Sequence, residues 1–331
     1  MTYGRLSKPR FYMDVPNWRF SRGLSRNSAI KINVAGVAAA LASGSTKYQM
    51  FDMNPVDQAV WSTDAGTDTA SVRINLTTTN NPVNFIAILN HNLATAGGKF
   101  RVCHSASDIE TAGGTDVSGL TEVFNGDVSG VYATPDTDGD TLLTFTQPST
   151  SADQYLCVEF EDVSTWSDDL AVGQIIFGYY YTSPVSPDLP VRKITTHEGV
   201  KIDTSAGGRK FGKASWITAN PGAYTTFRTN TSVIAAQRKM SGREAFDFSF
   251  PNVADTSIYP ADRLTPYSAE NFLYDVINKS AGNLIPFIFA ADSTSTTQGD
   301  YLYGRFDSDT FESMRSSWKY EDYSLRVVQE F

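Results

Sequence analysis

Residues 268–331, the last fifth of the chain, combine one helical pattern with three strand patterns. Apolar residues at 272, 273, 276 and 277 fall on one face of a helix, which predicts a helix over 268–281. Ser268 is its predicted N-cap and Gly282 its predicted C′ residue. Runs rich in aromatic and β-branched residues follow at 285–289, 301–306 and 323–328. One amphipathic helix beside alternating strands predicts a small packed module without a reaction centre.

The composition favours a mainly β protein with two domains. A chain of 331 residues is long enough for two domains, and 41% hydrophobic with 19% charged residues is typical of a globular chain. Thr, Ser, Asp, Gly and Tyr are frequent, and long helical patterns are few. The net charge of −9 argues against a nucleic-acid partner. The most apolar run, 32–42, has 11 residues. A membrane-spanning helix needs roughly 20, so no membrane partner is expected.

Strand patterns and turn signals alternate between residues 48 and 181. Segment 71–76 alternates with a period of two, and 84–89 is an almost continuous apolar run. Further strand patterns lie at 99–103, 142–145, 155–160 and 174–181. This spacing predicts a β-sandwich of jelly-roll type over 32–183. Pro184, Pro187 and Pro190 predict a stiff linker, so a second domain is expected over 184–331.

The predicted sandwich carries a resemblance to a known family. Segment 56–61 brings Trp61 in ahead of the strand pattern at 72–76, and segment 85–93 ends in Asn-His-Asn-Leu. This order resembles galactose-binding-like (discoidin-type) domains as they occur in phage structural proteins. The resemblance implies a jelly-roll sandwich over about 45–181, and it says little about a ligand because function depends on a site rather than on a fold.

The C-terminal module carries a second resemblance. Its helix is followed by Pro-Phe-Ile-Phe at 286–289, Asp-Tyr-Leu-Tyr-Gly-Arg-Phe at 300–306 and Tyr-Ser-Leu-Arg-Val-Val-Gln-Glu at 323–330. This order resembles phage tail and baseplate proteins of the distal-tail type. The resemblance implies a small β-barrel with one helix over 184–331, and assembly of identical copies into rings.

Residues 1–31 form a basic, aromatic arm ahead of an acidic body, with seven Lys or Arg residues against Asp14 alone. The arm is either an ordinary surface segment or a clasp that docks on the acidic face of a neighbouring copy, where opposite charge steers docking. Binding of the arm to nucleic acid ranks third. For the aromatic residues near 180, packing in the core or between domains is favoured over contact with sugars or a neighbour. The residues predicted to contact a neighbouring copy are Arg5, Arg10, Trp18, Arg19, Arg22, Tyr180 and Tyr181.

One acidic string is a candidate metal site. Asp136, Asp138 and Asp140 alternate as at the start of an EF-hand-style calcium loop, which makes them candidate ligands of calcium. The glycine and the glutamate that such a loop requires further on are missing. A solvated hairpin turn is therefore favoured over an ion, and no other cofactor is expected.

The remaining reactive side chains are predicted to be structural. His91, between two asparagines, is expected to bond to backbone in a turn. Cys103 and Cys157 each lie in an apolar run and are predicted to be reduced core thiols. The chain shows no nucleophile elbow, phosphate loop or dinucleotide fingerprint, so no catalytic residue is assigned.

These patterns and resemblances predict a non-enzymatic virion structural protein of a tailed bacteriophage, a tail-tip or baseplate component that assembles into a ring. Its expected partners are other copies of itself and other tail proteins. Its expected location is the virion tail, after assembly in the bacterial cytoplasm. The alternative is a carbohydrate-binding adsorption or decoration protein that holds a host-surface glycan. A calcium-dependent surface hydrolase ranks last.

Overall fold

The computed structural model of the protein describes residues 7–32, 40–62, 69–77, 83–112, 114–117, 119–129, 131–145, 153–161, 166–196, 201–213, 243–260 and 271–330. Its strands are β1 (Arg10–Tyr12), β2 (Ile30–Ile32), β3 (Ala59–Trp61), β4 (Thr69–Asn75), β5 (Phe85–His91), β6 (Lys99–Ser105), β7 (Thr115–Asp116), β8 (Leu120–Phe124), β9 (Asp127–Ser129), β10 (Tyr132–Thr134), β11 (Gly139–Phe145), β12 (Tyr155–Glu161), β13 (Leu170–Gly178), β14 (Tyr180–Thr182), β15 (Arg192–Thr196), β16 (Lys201–Thr204), β17 (Lys210–Lys213), β18 (Arg243–Ala254), β19 (Phe287–Ala290), β20 (Tyr301–Phe306), β21 (Ser313–Ser317) and β22 (Tyr320–Gln329).

The helical segments are short. They are α1 (Val15–Ser21), α2 (Arg26–Ala29), α3 (Leu93–Ala96), α4 (Ile109–Ala112), α5 (Asp255–Ile258) and α6 (Asn278–Ser280), with 3-10 turns at Gln49–Phe51 and Gln298–Asp300 and a π-helical turn at Leu273–Ile277. None of the helices in the described part of the chain is long and apolar enough to cross a membrane. The prediction of a mainly β chain is confirmed.

Two antiparallel sheets form a sandwich. One has the order β2-β4-β12-β6-β10-β9, with β7 beside β6, and the other has the order β3-β13-β5-β11-β8. Val72 and Val158 from the first sheet and Ile88 and Ile175 from the second belong to one buried cluster. Because successive side chains of a strand point to opposite faces, each strand contributes alternate residues to this core. The predicted β-sandwich is therefore confirmed by the sheet topology.

A larger sheet combines the C-terminal strands with β1 and β14. Its order is β14-β1-β19-β20-β22-β18-β15, with β21 beside β22. In the described residues β14 and β15 are the two end strands of this order, and closure of the sheet into a small barrel stays a prediction. Phe248 and Phe250 of β18 pack in one cluster with Phe272, Val276 and Phe289. β16 and β17 pair with each other as a separate two-stranded ribbon.

The N-terminal segment is part of both units, and the prediction of a separate arm over 1–31 is wrong for its described residues. β1 lies between β14 and β19, with Phe11 opposite Tyr181 on one side and Phe289 on the other. β2 extends the first sheet of the sandwich. Phe11 is 0% and Trp18 is 2% exposed. Burying an aromatic side chain stabilises the folded chain by about 2 kcal/mol relative to leaving it in water, so these rings favour a docked segment over a free arm.

The predicted C-terminal helix is present but shorter in its described part. The backbone is helical from Phe272, passes through the π-helical turn and ends after α6. Phe272 and Val276 are buried, as the helical spacing predicted. Ala281 and Gly282 both have positive φ, 49° and 72°, so the chain leaves the helix in the left-handed conformation expected at Gly282. The predicted N-cap, Ser268, lies outside the described residues.

Candidate interaction site

The three predicted calcium ligands do not converge on one point. Oδ1 of Asp138 accepts the N–H of Thr95 at 2.9 Å, and its other oxygen accepts the Thr95 hydroxyl. Oδ1 of Asp140 accepts the N–H of Asn90 at 2.9 Å, and Asp136 is exposed. Across the described residues, no three His, Cys, Asp or Glu side chains are grouped so that they could hold a metal ion. The structure therefore uses Asp138 and Asp140 as acceptors for backbone donors, and it does not assemble the predicted calcium site.

His91 is a buried structural side chain. Its Nδ1 accepts the N–H of Leu93 at 3.2 Å, and its Nε2 lies 2.9 Å from Oγ1 of Thr141. Because Nδ1 accepts, the proton of the neutral ring is on Nε2, which donates to Thr141. Burial lowers the pKa of His91 to about 4. The ring is therefore neutral at physiological pH and holds the turn after β5, as predicted.

Cys103 and Cys157 are opposite each other on β6 and β12, and both are buried, free thiols. The Cys103 thiol donates to Oδ1 of Asp116 at 3.2 Å. Burial raises the pKa of both thiols, so neither is a thiolate at neutral pH. They are core residues, as predicted.

Two of the three aromatic residues predicted to contact a neighbouring copy are buried inside the chain. Trp18 is 2% and Tyr181 is 5% exposed, so the prediction that they form an intermolecular surface is wrong. Trp18 belongs to the core of the sandwich, and Tyr181 belongs to the core of the C-terminal sheet. The half-buried ring of Tyr180 stacks on Tyr179 and lies 4.2 Å from the Arg10 guanidinium.

The predicted basic contacts are also used within the chain. Nε of Arg10 donates to the Thr182 hydroxyl at 3.0 Å. Arg19 donates to the hydroxyl of Thr77 at 3.2 Å. Arg22 is exposed, with its guanidinium 5.9 Å from the Trp18 ring, and Arg5 lies outside the described residues. The basic charge thus lines the seam that the N-terminal segment makes with its own chain.

A β-hairpin formed by β21 and the start of β22 is the most exposed apolar feature of the described chain. Trp318, at its tip, is 79% exposed, Met314 on β21 is 68% exposed, and Tyr320 is 45% exposed. At the base of the hairpin, the Ser313 hydroxyl bonds to the Tyr259 hydroxyl at 2.5 Å and also donates to Glu321. The base is therefore anchored, while the tip presents an indole ring to solvent.

A cleft of about 450 Å³ lies beside this hairpin in the same module. Its apolar lining includes Ile277, Phe248, Phe306, Phe311 and Leu325. The polar and charged residues come from three strands and from the loop that follows β20: Arg192, Asp247, Ser249, Asp307, Ser308, Asp309, Thr310, Ser324 and Arg326.

The end of the helical segment positions the loop that forms one wall of the cleft. A Cβ atom on Gly282 would lie 3.2 Å from the carbonyl oxygen of Asp309, so this loop packs closely against the glycine. The N–H of Asp307 donates to the carbonyl of Arg326 at 3.1 Å, which fixes the start of the loop on β22. The close packing at Gly282 and this hydrogen bond hold the acidic loop at the mouth of the cleft.

Charges of opposite sign alternate across the cleft. Arg192 is opposite Asp247 in the β15–β18 pair, and Asp247 is opposite Arg326 in the β18–β22 pair. Nε of Arg326 lies 3.6 Å from Oδ1 of Asp247 and 3.6 Å from Oδ2 of Asp307. Oδ1 of Asp247 is buried and has no hydrogen bond. The cleft thus combines phenyl rings with both kinds of charge and can take an apolar group that carries polar or charged edges.

The sequence patterns did not identify either feature. Segment 307–320 is polar and has no alternation of apolar residues, so it predicts neither a strand nor a core position. The available signal was the presence of Met314 and Trp318 as isolated large apolar residues in that polar run. The cleft depends on strands that are far apart in the chain, and no local pattern encodes it.

Comparison with known proteins gives distant structural similarities. No protein-family model and no curated protein matches the chain. Among solved structures, the chain is similar to a mutant of chitosan-binding module 1 from a chitosanase/glucanase of Paenibacillus sp. IK-5, with 16% identity, 50% of this chain and 99% of that chain covered, and a TM-score of 0.32. It is also similar to CBM32-1 from a family 31 glycoside hydrolase of Clostridium perfringens, with 12% identity, coverage of 45% and 94%, and a TM-score of 0.31.

A third similar structure is the lectin domain of lectinolysin complexed with Lewis B antigen, with 12% identity, coverage of 45% and 89%, and a TM-score of 0.29. In all three, identity is at most 16% and the TM-score is at most 0.32. These values are too low to assign a fold, so the fold is assigned from the sheet topology of this chain alone.

Proposed function

We propose that the chain is a non-enzymatic structural subunit that assembles with copies of itself, as a tail-tip or baseplate component of a tailed bacteriophage. The single observation that carries the assembly role is the hairpin that holds Trp318 79% exposed. The phage context comes from the resemblance of the C-terminal module to distal-tail proteins. In that context other tail proteins are further partners, and the virion tail is the location.

The composition of the hairpin fits a protein–protein contact. Exposed apolar side chains that lie close together are characteristic of interaction surfaces. Trp, Tyr and Met are enriched at the centres of interfaces, and Trp is among the residues that contribute most to binding. Trp318, Met314 and Tyr320 all belong to one hairpin whose base is anchored through Ser313. A rigid base with an apolar tip is suited to insertion into a partner.

The buried reactive groups support a structural role. His91 is neutral and holds a turn, and Cys103 and Cys157 are buried thiols with raised pKa values. Asp138 and Asp140 accept hydrogen bonds from backbone N–H groups. None of these groups is assigned a catalytic role in this proposal.

Mass by light scattering and negative-stain images of the full chain test the proposal. The wild-type protein is expected to form a closed oligomer at micromolar concentration, and Trp318→Ala with Met314→Ala is expected to lower its mass. Leu284→Ala is the matched control, because Leu284 is 52% exposed and lies outside the hairpin. A wild-type protein that stays monomeric at every concentration would contradict the proposal.

The second candidate function is glycan binding, and the cleft is the observation that favours it. The half-buried ring of Phe311 can face the apolar side of a sugar, while Asp247 and Arg326 can bond to hydroxyl groups. A glycan array probed with the full chain tests this candidate. Binding that is lost in Asp247→Asn supports it, and an array without signal removes it.

A further inference from the structure

The chain carries an apolar projection and an apolar cleft in the same module. The projection is the hairpin of residues 313–320, with Trp318 at its tip. The cleft is the one lined by Phe248, Phe306 and Phe311. Trp318 is 79% exposed, so it does not occupy the cleft of its own chain.

We propose that the hairpin of one copy inserts Trp318 into the cleft of the next copy. This inference rests on the proposed assembly function and names the contact that produces it. The partner is a second copy of this chain, and the contact joins two different surfaces, hairpin to cleft. Such a head-to-tail contact repeats from copy to copy, and it closes into a ring when the rotation between copies divides a full turn.

The sizes of the two features agree. The cleft has a volume of about 450 Å³, within the range of roughly 300–1,000 Å³ that holds a drug-sized molecule. An indole ring is smaller than such a molecule, so room remains for part of the Met314 side chain. A Trp side chain buries about 150–250 Å² on docking, which makes it the expected anchor of the contact.

The tip of the hairpin and the loop at the mouth of the cleft carry opposite charges. The tip of the hairpin carries Lys319 next to Trp318, whereas Arg315 on β21 is paired with Glu321 of β22, with 3.7 Å between Nη2 and Oε1. The loop at the mouth of the cleft carries three exposed acidic side chains, Asp307, Asp309 and Glu312. Opposite charges around an apolar anchor orient a docking partner and speed association. Two copies with the hairpin of one facing the loop of the other are therefore attracted, whereas two facing loops repel.

Mixing two defective variants tests this contact. Trp318→Ala removes the anchor and keeps the cleft. Ser324→Trp fills the cleft and keeps the hairpin, at a position that is exposed in the single chain. Each variant alone is expected to be monomeric. Loss of the anchor or of its cleft should raise the dissociation constant of the contact between two copies roughly 30- to 100-fold or more. An equimolar mixture is expected to form a species of two chains, because one intact hairpin meets one intact cleft and the contact cannot repeat.

The results distinguish failure of the hairpin–cleft contact from failure of the assembly function. If the wild-type protein assembles and both variants assemble equally well, or the mixture stays monomeric, the hairpin–cleft contact is wrong and the assembly function stands. If the wild-type protein is monomeric, the assembly function itself fails. Asp309→Arg serves as a second cleft variant should Ser324→Trp fail to fold, with circular dichroism as the check.

A photo-cross-linking amino acid at position 318 identifies the partner surface directly. In a mixture of ¹⁴N- and ¹⁵N-labelled chains, mixed-label cross-links from position 318 to peptides that cover 306–311 or 324–326 are expected. Mixed-label cross-links confined to other segments would overturn the proposal.

Discussion

The hydroxyl of Tyr303 donates a 2.8 Å hydrogen bond to Oε1 of Gln174, and both side chains are fully buried. Tyr303 belongs to β20 of the C-terminal sheet, and Gln174 belongs to β13 of the sandwich. Nε2 of Gln174 in turn donates to Oδ2 of Asp14 at 3.2 Å, and Asp14 accepts from Asn17 at 2.9 Å and 2.8 Å. A buried polar network thus joins the N-terminal segment to both units. The hairpin and the cleft are consequently carried on a C-terminal sheet that is tied to the sandwich.

We expect Tyr303→Phe to weaken the connection between the two units. The substitution removes the donor and leaves Oε1 of Gln174 without its 2.8 Å partner in a buried site. An unsatisfied buried acceptor costs about 1–3 kcal/mol of unfolding free energy. Denaturant unfolding measures the change. Tyr320→Phe is the matched control, since Tyr320 is 45% exposed and its ring stands at the surface. An unchanged unfolding midpoint in Tyr303→Phe would show that the network contributes nothing.

Asp14 is expected to make the protein less stable as the pH rises. Burial raises the pKa of Asp14 from 3.8 to about 6. Between pH 4 and 6 the folded chain therefore keeps a proton that the unfolded chain has released, so the unfolding free energy falls across this window and is constant above it. Asp14→Asn removes this contribution. Urea unfolding at several pH values between 4 and 7.5 measures the unfolding free energy of both proteins. The value for the wild type minus the value for Asp14→Asn should fall as the pH rises from 4 to 6. Asp52, whose pKa burial also raises to about 6, titrates alike in both proteins and cancels.

His91 is expected to act in the opposite direction. Burial lowers its pKa from 6.5 to about 4. As the pH falls from 6.5 to 4, the unfolded chain takes up a proton before the folded chain does, so the unfolding free energy decreases. His91→Asn keeps an acceptor for the N–H of Leu93 and removes the titration. In the same urea series, the unfolding free energy of the wild type minus that of His91→Asn should rise as the pH rises from 4 to 6.5. A slope of the same sign as that of Asp14 would contradict the assignment.

Gly178 is expected to tolerate no side chain. A Cβ atom there would lie 1.8 Å from the carbonyl oxygen of Met13, where the N-terminal segment passes over the end of β13. Because the obstacle is backbone, Gly178→Ala must displace the segment or distort the strand, at a cost of about 1–3 kcal/mol or more. Melting temperature measures the loss. Gly299→Ala is the control, because no atom lies within 4 Å of a Cβ placed there. Equal melting temperatures for the two variants would show that the segment is not held at this point.

Local patterns were sufficient for strands whose residues alternate or are continuously apolar. The predicted runs at 155–160 and 301–306 correspond to β12 (Tyr155–Glu161) and β20 (Tyr301–Phe306). In these strands burial of alternate or successive side chains selects the backbone conformation, so composition and period carry the information.

Local patterns were insufficient for β1 and for the hairpin. β1 consists of three residues and pairs with β14 and β19, which lie far along the chain, so the pairing depends on contacts that no short window contains. A basic, aromatic N-terminus consequently predicted an arm. Strand β21 of the hairpin has a polar sequence and is stabilised by its pairing with β22, so the exposed tryptophan was visible only as an isolated residue. The cleft follows from the same long-range arrangement.

Hydroxyl-radical footprinting of Trp318, with mass by light scattering at each concentration, tests the central claim most directly. The indole is 79% exposed in the single chain. We expect its oxidation to fall as the mass rises with protein concentration, while oxidation of Leu284 stays constant. Assembly that leaves Trp318 fully reactive, or no rise in mass at any concentration, would contradict the account.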